Sequence, residues 1–527
     1  MRPSYTVDPF GWNNESLNTD WYQWTMVYAS WANGEAAAEG IFDLIFRETR
    51  DGAAFMVYAG LEQVIEHVMR FQLDEEEIDF ICANIGPTAW NWAQNEAGFK
   101  QYLRDLRLKG KIRSVPEGRI LGPGTFALQY IGSLNEARIL ETYCLAAINH
   151  QTRVASKAVR IMDALRGTGL EAVENLSEVK DSTFEGGTRR AHNLEAALYG
   201  ARAAYIGGFD GTSNTKAGYI LGIPVKGTMA HNWMQAQMRG DLTQSEAELE
   251  AFRRWNDAYR VGAYLGDTID TKRSGIPNAI IAGRELEERG GVFASFRIDS
   301  GDLAYDSKVA DHRFREAGFK NVVIVGSSDL DEAVAGNIKY LQGGRIRAWL
   351  FGTKLETPDP MGGVFKLVAN REGDRWVPVI KRSGNPEKVT LPGYKRMYDI
   401  FLGSEAAKLK SRYSATVITC EDERIDPTVD LSLFNPVHTH QRKPIQGGTF
   451  YVEEPMVDIC ENGRLLYQFP KLGEIRQYLQ FQLERLWPEQ RRLLQPQLLH
   501  IDLSRKLWEE KQALLHASDG LNGYGDD

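Results

Sequence analysis

The sequence predicts an α/β protein: an irregular (β/α) TIM-like barrel with a second α+β domain built from N- and C-terminal segments. Three observations carry that expectation. From about residue 190 to 355, five short β-rich runs alternate with four helical segments in one direction. Each β-rich run ends in a cluster of polar or glycine residues, and the flanking sequence lacks the alternation. Parallel strands joined by crossover helices are the economical reading. C-terminal strand ends are where barrel and doubly wound enzymes build their sites. Five such ends in series favour the barrel over an open sheet.

In order along the chain, His192 to Ile206 spaces Leu194, Ala197, Leu198, Ala201 and Tyr205 as a helix does, then stops at Gly207-Gly208. The run Ile223 to Gly227 ends in Thr228-Met229-Ala230-His231. A helix follows over Leu242 to Trp255, with acidic residues early and arginines late, as the helix dipole favours. Val261 to Leu265 leads into Asp267-Thr268-Ile269-Asp270-Thr271, then a helix from about Pro277 to Glu288. Val292 to Ile298 ends in Asp299-Ser300-Gly301-Asp302, before a helix over Leu303 to Ala317. Asn321 to Val325 ends in Gly326-Ser327-Ser328-Asp329, a helix spans Leu330 to Leu341, and Ile346 to Phe351 ends in Gly352-Thr353-Lys354. The flanks offer strand-like Gly40 to Phe46, Arg113 to Val115, Val364 to Val368 and Trp376 to Lys381, with a helix near Leu61 to Gln72. Ile475 to Ala517 reads as helical segments broken at Pro488 and Pro496. The expected division is residues 1–138, a catalytic barrel over 139–363, and 364–527 joined to the first segment.

Composition narrows the function classes. The 527 residues are 43% hydrophobic and 25% charged, which suits a globular enzyme and not a disordered or coiled-coil chain. Lys plus Arg is 62 against 71 for Asp plus Glu, a formal charge of −9. That balance argues against nucleic-acid or anionic-membrane binding, while leaving room for a local basic pocket. Cys82, Cys144, Cys420 and Cys460 lie far apart with no CxxC pair, so reduced buried thiols are expected. Met1-Arg2-Pro3-Ser4 and Asp8 open the chain without an apolar stretch, and the longest apolar run, Ala53 to Leu61, is too short for a membrane span. A cytoplasmic protein is expected.

Several residue groups have the chemistry for a site. No GxGxxG opens a helix, and Gly222 to Met229 lacks the lysine that a P-loop carries after its second glycine. Any phosphate must therefore be held by strand-end loops. His231, just past a strand end, suits a nucleophile or acid/base, or else a hydrogen-bonded loop histidine. Arg189-Arg190 can clamp a carboxylate or phosphate, or divide into one buried structural and one solvated arginine. Asp299-Ser300-Gly301-Asp302 offers hard oxygens for Mg2+ or a diol, with Arg297 on the same strand, and also suits a helix N-cap. Gly326-Ser327-Ser328 and Gly352-Thr353 are rich in backbone N–H groups, as a phosphate cradle requires, although turns use the same residues. His438-Thr439-His440 has no third ligand nearby and does not read as a metal site.

Taken together, these blocks resemble the nicotinate phosphoribosyltransferase family. The similarity rests on Arg189-Arg190-Ala191-His192, Ala204 to Asn214 (AYIGGFDGTSN) and Gly227-Thr228-Met229-Ala230-His231. It extends to Thr19-Asp20-Trp21-Tyr22, Phe46-Arg47, Ala59 to Glu62, Glu141-Thr142, Arg297 to Leu303 and Lys388 to Gly393. It covers about residues 17 to 400. Three positions depart from the pattern: Phe184-Glu185-Gly186-Gly187-Thr188 carries one residue more than the aromatic-Gly-Thr form, Trp21 replaces a smaller residue, and Gly326-Ser327-Ser328 replaces a Ser-Asn-like pair.

The resemblance implies an enzyme of NAD salvage. It would join nicotinate to phosphoribosyl pyrophosphate, with ATP hydrolysis and Mg2+, giving nicotinate mononucleotide and pyrophosphate. It further implies that His231 is phosphorylated and that Thr228, Arg189 and Arg297 surround nicotinate. Asp299, Ser327, Gly352 and Thr353 would hold the phosphoribosyl group. Tyr22 would stack on the pyridine, from the neighbouring subunit of a homodimer with shared sites. Two alternatives stay open: a nicotinamide-using transferase, which gains nothing from paired arginines, and a catalytically silent binding protein on the same scaffold.

Overall fold

The computed structural model describes residues 15–168, 181–385, 388–438 and 440–517. The opening residues 1–14 and Thr439, both considered above, lie outside the described residues. The chain divides into two compact units: residues 157–358, and residues 1–156 together with 359–527.

The unit of residues 157–358 is built on six parallel strands: β1 Ser182–Glu185, β2 Gly211–Thr212, β3 Val261–Leu265, β4 Val292–Ile298, β5 Val323–Gly326 and β6 Ile346–Phe351. Their order across the sheet is β2-β1-β6-β5-β4-β3. The first strand pairs in parallel with the last, Ser182 beside Ala348 and Glu185 beside Phe351. Every neighbour is thus adjacent in a cyclic chain order, with one seam beyond β2 and β3. A doubly wound sheet reverses its order at a switch point instead. This is a curled, parallel α/β sheet of barrel-like order. At the seam, the expected strand 223–227 contributes only a parallel bridge between Thr212 and Val225. Pro224 lacks an N–H, and its carbonyl is taken by Thr212 N, which limits the ladder there.

On the outer face, helices pack against strand aromatics such as Phe293 and Phe296. On β4 the register skips a residue between Gly262–Phe293 and Ala263–Ser295, a bulge. It brings Phe293 and Phe296, three apart, onto one face, where both pack edge-on against Phe314. Ser295 and Arg297 are left for the concave face. The helices fall close to expectation at Leu194–Ile206, Gln244–Ala258, Ile276–Glu288 and Leu303–Glu316. Each of the first, second and fourth starts at a capping side chain: Asn193 accepts from Ala196 N, Thr243 from Glu246 N and Asp302 from Tyr305 N. The segment expected as one helix over 330–341 is instead Glu332–Gly336 followed by a wider turn over Asn337–Leu341.

The other unit holds a seven-stranded and a six-stranded sheet, with helices including Trp21–Ala32, Leu61–Arg70 and Leu472–Arg485. In the seven-stranded sheet Glu39–Phe46 pairs antiparallel with both Phe126–Ser133 and Gly363–Glu372, so segments from both ends of the sequence share one ladder. Asp43 on Glu39–Phe46 forms an ion pair of 2.9 Å with Lys395, which begins the strand Lys395–Leu402 of the six-stranded sheet, and neither side chain is exposed. Lys395 also donates to the carbonyls of Leu391 and Gly393, at 3.0 and 2.6 Å. Lys395→Ala leaves a buried carboxylate without its counter-charge and is expected to cost about 3–5 kcal/mol, read by urea denaturation. A loss below about 1 kcal/mol would show that Asp43 finds compensation elsewhere.

All four cysteines are free and buried. Among the described residues no helix is long and apolar enough to cross a membrane.

Candidate functional site

A cavity of about 740 Å3 opens on the concave face of the parallel sheet. Its floor is apolar, with Val323, Val325, Ala348 and Leu350, while its rim carries Arg189, Thr228, His231, Arg297 and Asp299. The fold brings these rim residues together from three separate strand-end segments, which is what sites at C-terminal strand ends require.

His231 begins a short helix, His231–Gln235. Its Nδ1 lies 3.0 Å from Thr268 Oγ1, which fixes the ring. The other nitrogen, Nε2, stands 3.7 Å from Asp299 Oδ2 and 4.0 Å from Asp267 Oδ1. The imidazole is 39% exposed, whereas Asp267 is 1% exposed. The ring is therefore held from behind and open to the cavity in front. Two carboxylates flank the nitrogen that would gain positive character during attack on a phosphoryl group.

Asp267 and Thr268 were not among the expected site residues. The available signal was their place directly after β3. Asp267 Oδ2 accepts from Asp299 N at 3.2 Å and from Ser300 Oγ, so it braces the turn that presents Asp299. Its Oδ1 is buried and accepts no hydrogen bond among the described residues. The helix-cap role considered for Asp299 to Asp302 falls to Asp302, which leaves Asp299 at the cavity.

Arg297 lines the cavity with a buried Nε that has no hydrogen-bond acceptor among the described residues. Burial holds its guanidinium below the usual arginine range; Asp299 and Asp267 oppose the shift and Arg189 adds to it. Two guanidinium groups that feel each other, one with an unfilled donor, form a receptor for an anion. Arg190 does not line the cavity, so the paired arginines divide their roles.

The loop before Arg189 rests on Glu185, which is fully buried. Its carboxyl accepts from Gly187 N and Thr212 Oγ1. Gly186 N donates to Phe351 O at 2.7 Å, bringing this loop beside Gly352.

Ser327, Gly352 and Thr353 sit at the ends of β5 and β6 but do not line the cavity. Ser327 is buried and its N–H is engaged by Ile298 O at 3.0 Å. Ser328 and Asp329 have φ of +96° and +39°, a left-handed turn that non-glycine residues adopt at a cost and that clusters at functional loops. Tyr22 belongs to the other unit, where it lies on the helix Trp21–Ala32 and is 52% exposed. Among the described residues no group of three or more His, Cys, Asp or Glu could hold a metal.

Comparison with known proteins gives one answer along the chain. Residues 17–149 match the nicotinate phosphoribosyltransferase N-terminal domain, 182–353 the nicotinate phosphoribosyltransferase family domain, and 407–511 the C-terminal domain. The chain is 37% identical to nicotinate phosphoribosyltransferase of Bacillus subtilis, over 95% of each chain. It is 29% identical to the Homo sapiens protein of that name, over 95% of this chain and 96% of that one. The crystal structure of human nicotinic acid phosphoribosyltransferase superposes with a TM-score of 0.76 at 27% identity, covering 95% of this chain and all of that one. Nicotinate-nucleotide pyrophosphorylase from Pyrococcus furiosus shares the fold, with a TM-score of 0.63 at 19% identity. Matches that follow one another from residue 17 to 511, around a rim that gathers His231, Arg297 and Asp299, leave one conclusion: the chain belongs to the nicotinate phosphoribosyltransferase family.

Proposed function

We propose that this protein is an ATP-coupled nicotinate phosphoribosyltransferase of NAD salvage. It joins nicotinate to 5-phosphoribosyl 1-pyrophosphate, giving nicotinate mononucleotide and pyrophosphate, while ATP yields ADP and phosphate. The observation that carries the reading is the shared rim: an anion receptor, Arg189 with Arg297, and a braced histidine, His231, open into one cavity. Nicotinamide, uncharged, would leave that receptor unfilled, and a silent binding protein has no need of a braced nucleophile.

In this reading Arg189, Arg297 and Thr228 hold the nicotinate carboxylate and ring. Asp299, Ser327, Gly352 and Thr353 hold the phosphoribosyl group. His231 attacks the γ-phosphorus of ATP: a P–N bond forms, the bond to the β-phosphate oxygen breaks, and ADP leaves. Water later cleaves the P–N bond, releasing phosphate and restoring the imidazole. Asp299 and Asp267 stabilise positive charge on the ring during both steps. Asp299 and Ser300 present the hard oxygen donors that Mg2+ takes together with substrate phosphates. Bound there, Mg2+ would neutralise charge on the pyrophosphate.

The finer architecture belongs to the same proposal. The parallel sheet closes as a TIM-like barrel over about residues 139–363, and segments 1–138 and 364–527 form the second domain. The enzyme acts as a homodimer in the cytoplasm, with Tyr22 stacking on the pyridine bound by its neighbour. Exposed Trp21, Tyr22, Met26 and Phe80 supply an apolar face for that contact, Trp21 and Phe80 meeting edge to face at 6.3 Å. The net charge of −9 gives no reason to expect a nucleic-acid partner. Pyrophosphate release measured with nicotinate, phosphoribosyl pyrophosphate, ATP and Mg2+ tests the reading. Release is expected to require both nicotinate and phosphoribosyl pyrophosphate, and release independent of nicotinate would overturn it.

A further inference from the structure

Beneath the loop that carries Arg189 lies a buried acid that the reaction does not use. Glu356 is 1% exposed, and neither carboxyl oxygen accepts a hydrogen bond among the described residues. It occupies space that exists because two neighbours are glycine. A Cβ on Gly200 would stand 2.0 Å from Glu356 Oε2, and one on Gly187 would stand 2.4 Å from its Cγ. Gly187 belongs to the strand-end loop and its N–H is tied to Glu185, another fully buried acid. Glu185 lies in the segment with one residue more than the family's aromatic-Gly-Thr form. The loop therefore stands on two carboxyl groups: one well supplied with donors, the other supplied with none.

A buried carboxylate without donors or counter-charge is among the most costly arrangements in a protein, and it is relieved by binding a proton. The surroundings offer no other relief. The elements around Glu356 carry Glu195, Tyr199, Arg202 and Tyr205 on the helix Leu194–Ile206, Lys354 on its own turn, and Arg189 and Arg190 on the loop. Yet burial, and then Glu185, are the influences that hold its carboxyl well above the usual range.

We propose that Glu356 is a positioning residue: as a neutral acid it fills the space under Gly187 and Gly200 and holds the 186–190 loop, and its ionisation beside Glu185 releases that loop and with it Arg189. The proton is taken from and returned to solvent, and no other bond changes. The inference rests on the reading of Arg189 as part of the nicotinate grip. The sign follows from the raised value. Folded protein keeps the proton after an unfolded chain has lost it, so stability declines as pH rises above the ordinary carboxyl range. The hold on the loop is lost as pH passes the raised value.

Three readouts test this in the full chain. The infrared difference spectrum of wild type minus Glu356→Gln, taken just above the ordinary carboxyl range, should show the C=O stretch of a protonated carboxylic acid. Amide exchange in residues 186–190, corrected for its intrinsic pH dependence, should rise as pH is taken upward from the ordinary carboxyl range in wild type and stay flat in Glu356→Gln and Glu356→Met. Over that range the wild-type KM for nicotinate should rise about tenfold relative to that for phosphoribosyl pyrophosphate, and both variants should remove the rise. A role in packing alone would shift thermal stability without this pH-dependent split in KM. Absence of the infrared band, or variants whose exchange and KM follow wild type with pH, overturns the proposal. So does failure of both neutral variants to fold, since the charge would then be required. If Arg189→Ala leaves the nicotinate KM unchanged, the grip reading fails separately, while the band and loop exchange still decide whether Glu356 holds the loop.

Discussion

Replacing His231 by alanine abolishes the acid-labile label that γ-phosphate-labelled ATP is expected to leave on the protein. The ATP-dependent gain in turnover is lost with it, a fall of about 10²- to 10⁴-fold in the stimulated rate. The expectation rests on one ring in one setting. Nδ1 is fixed by Thr268 at 3.0 Å, Nε2 lies between Asp299 and Asp267, and the cavity side is open. A phosphoramidate is acid-labile where a phosphate ester on serine or threonine is not, so brief acidification separates His231 from the hydroxyl groups nearby. The fold should survive the change, because the ring is 39% exposed and opens onto the cavity rather than packing in the core. Persistence of acid-labile label in His231→Ala would assign the phosphate to another residue.

The second large effect is on acid against amide selectivity. Arg297 is held in a desolvated position with an unfilled Nε, and Arg189 is close enough to act on it electrostatically. A carboxylate entering between them gains charge-assisted hydrogen bonds worth about 1.5–3 kcal/mol each. A carboxamide gains less, and its NH2 faces donors that it cannot satisfy. At about 1.4 kcal/mol per factor of ten, removing one guanidinium should raise the nicotinate KM by about 10- to 100-fold. Arg189→Ala and Arg297→Ala should do so with a smaller change in the KM for phosphoribosyl pyrophosphate. If both variants kept full preference for the acid, the anion receptor would serve the phosphate instead.

How much of this was legible in the sequence follows from what each feature depends on. The helices of the parallel unit were readable because caps and periodicity are local: Asn193, Thr243 and Asp302 each start a helix within two residues of its expected position. The strand ends were readable for the same reason, and they placed His231, Arg297 and Asp299 in one series before any contact was known. Strands β1 and β2 leave no signal of their own, being four and two residues long and defined by their neighbours rather than by their own pattern. The run at 223–227 looked like a strand by composition, yet Pro224 leaves it a single bridge. Asp267 is not legible in the sequence as a site residue because its role is to brace Asp299 and face His231, two contacts made 32 and 36 residues away. Glu356 could not be read at all. Its setting depends on what is missing at Gly187 and Gly200, which only the packed structure reveals.

One measurement addresses the central claim most directly. The protein is incubated with equal concentrations of nicotinate and nicotinamide, together with phosphoribosyl pyrophosphate, ATP and Mg2+, and the mononucleotide formed is identified by mass. The expected result is nicotinate mononucleotide in excess of about tenfold or more over the amide, with ADP appearing alongside it. Nicotinamide mononucleotide in comparable amount, or no mononucleotide at all, would contradict the assignment of Arg189, Arg297 and His231 to this reaction.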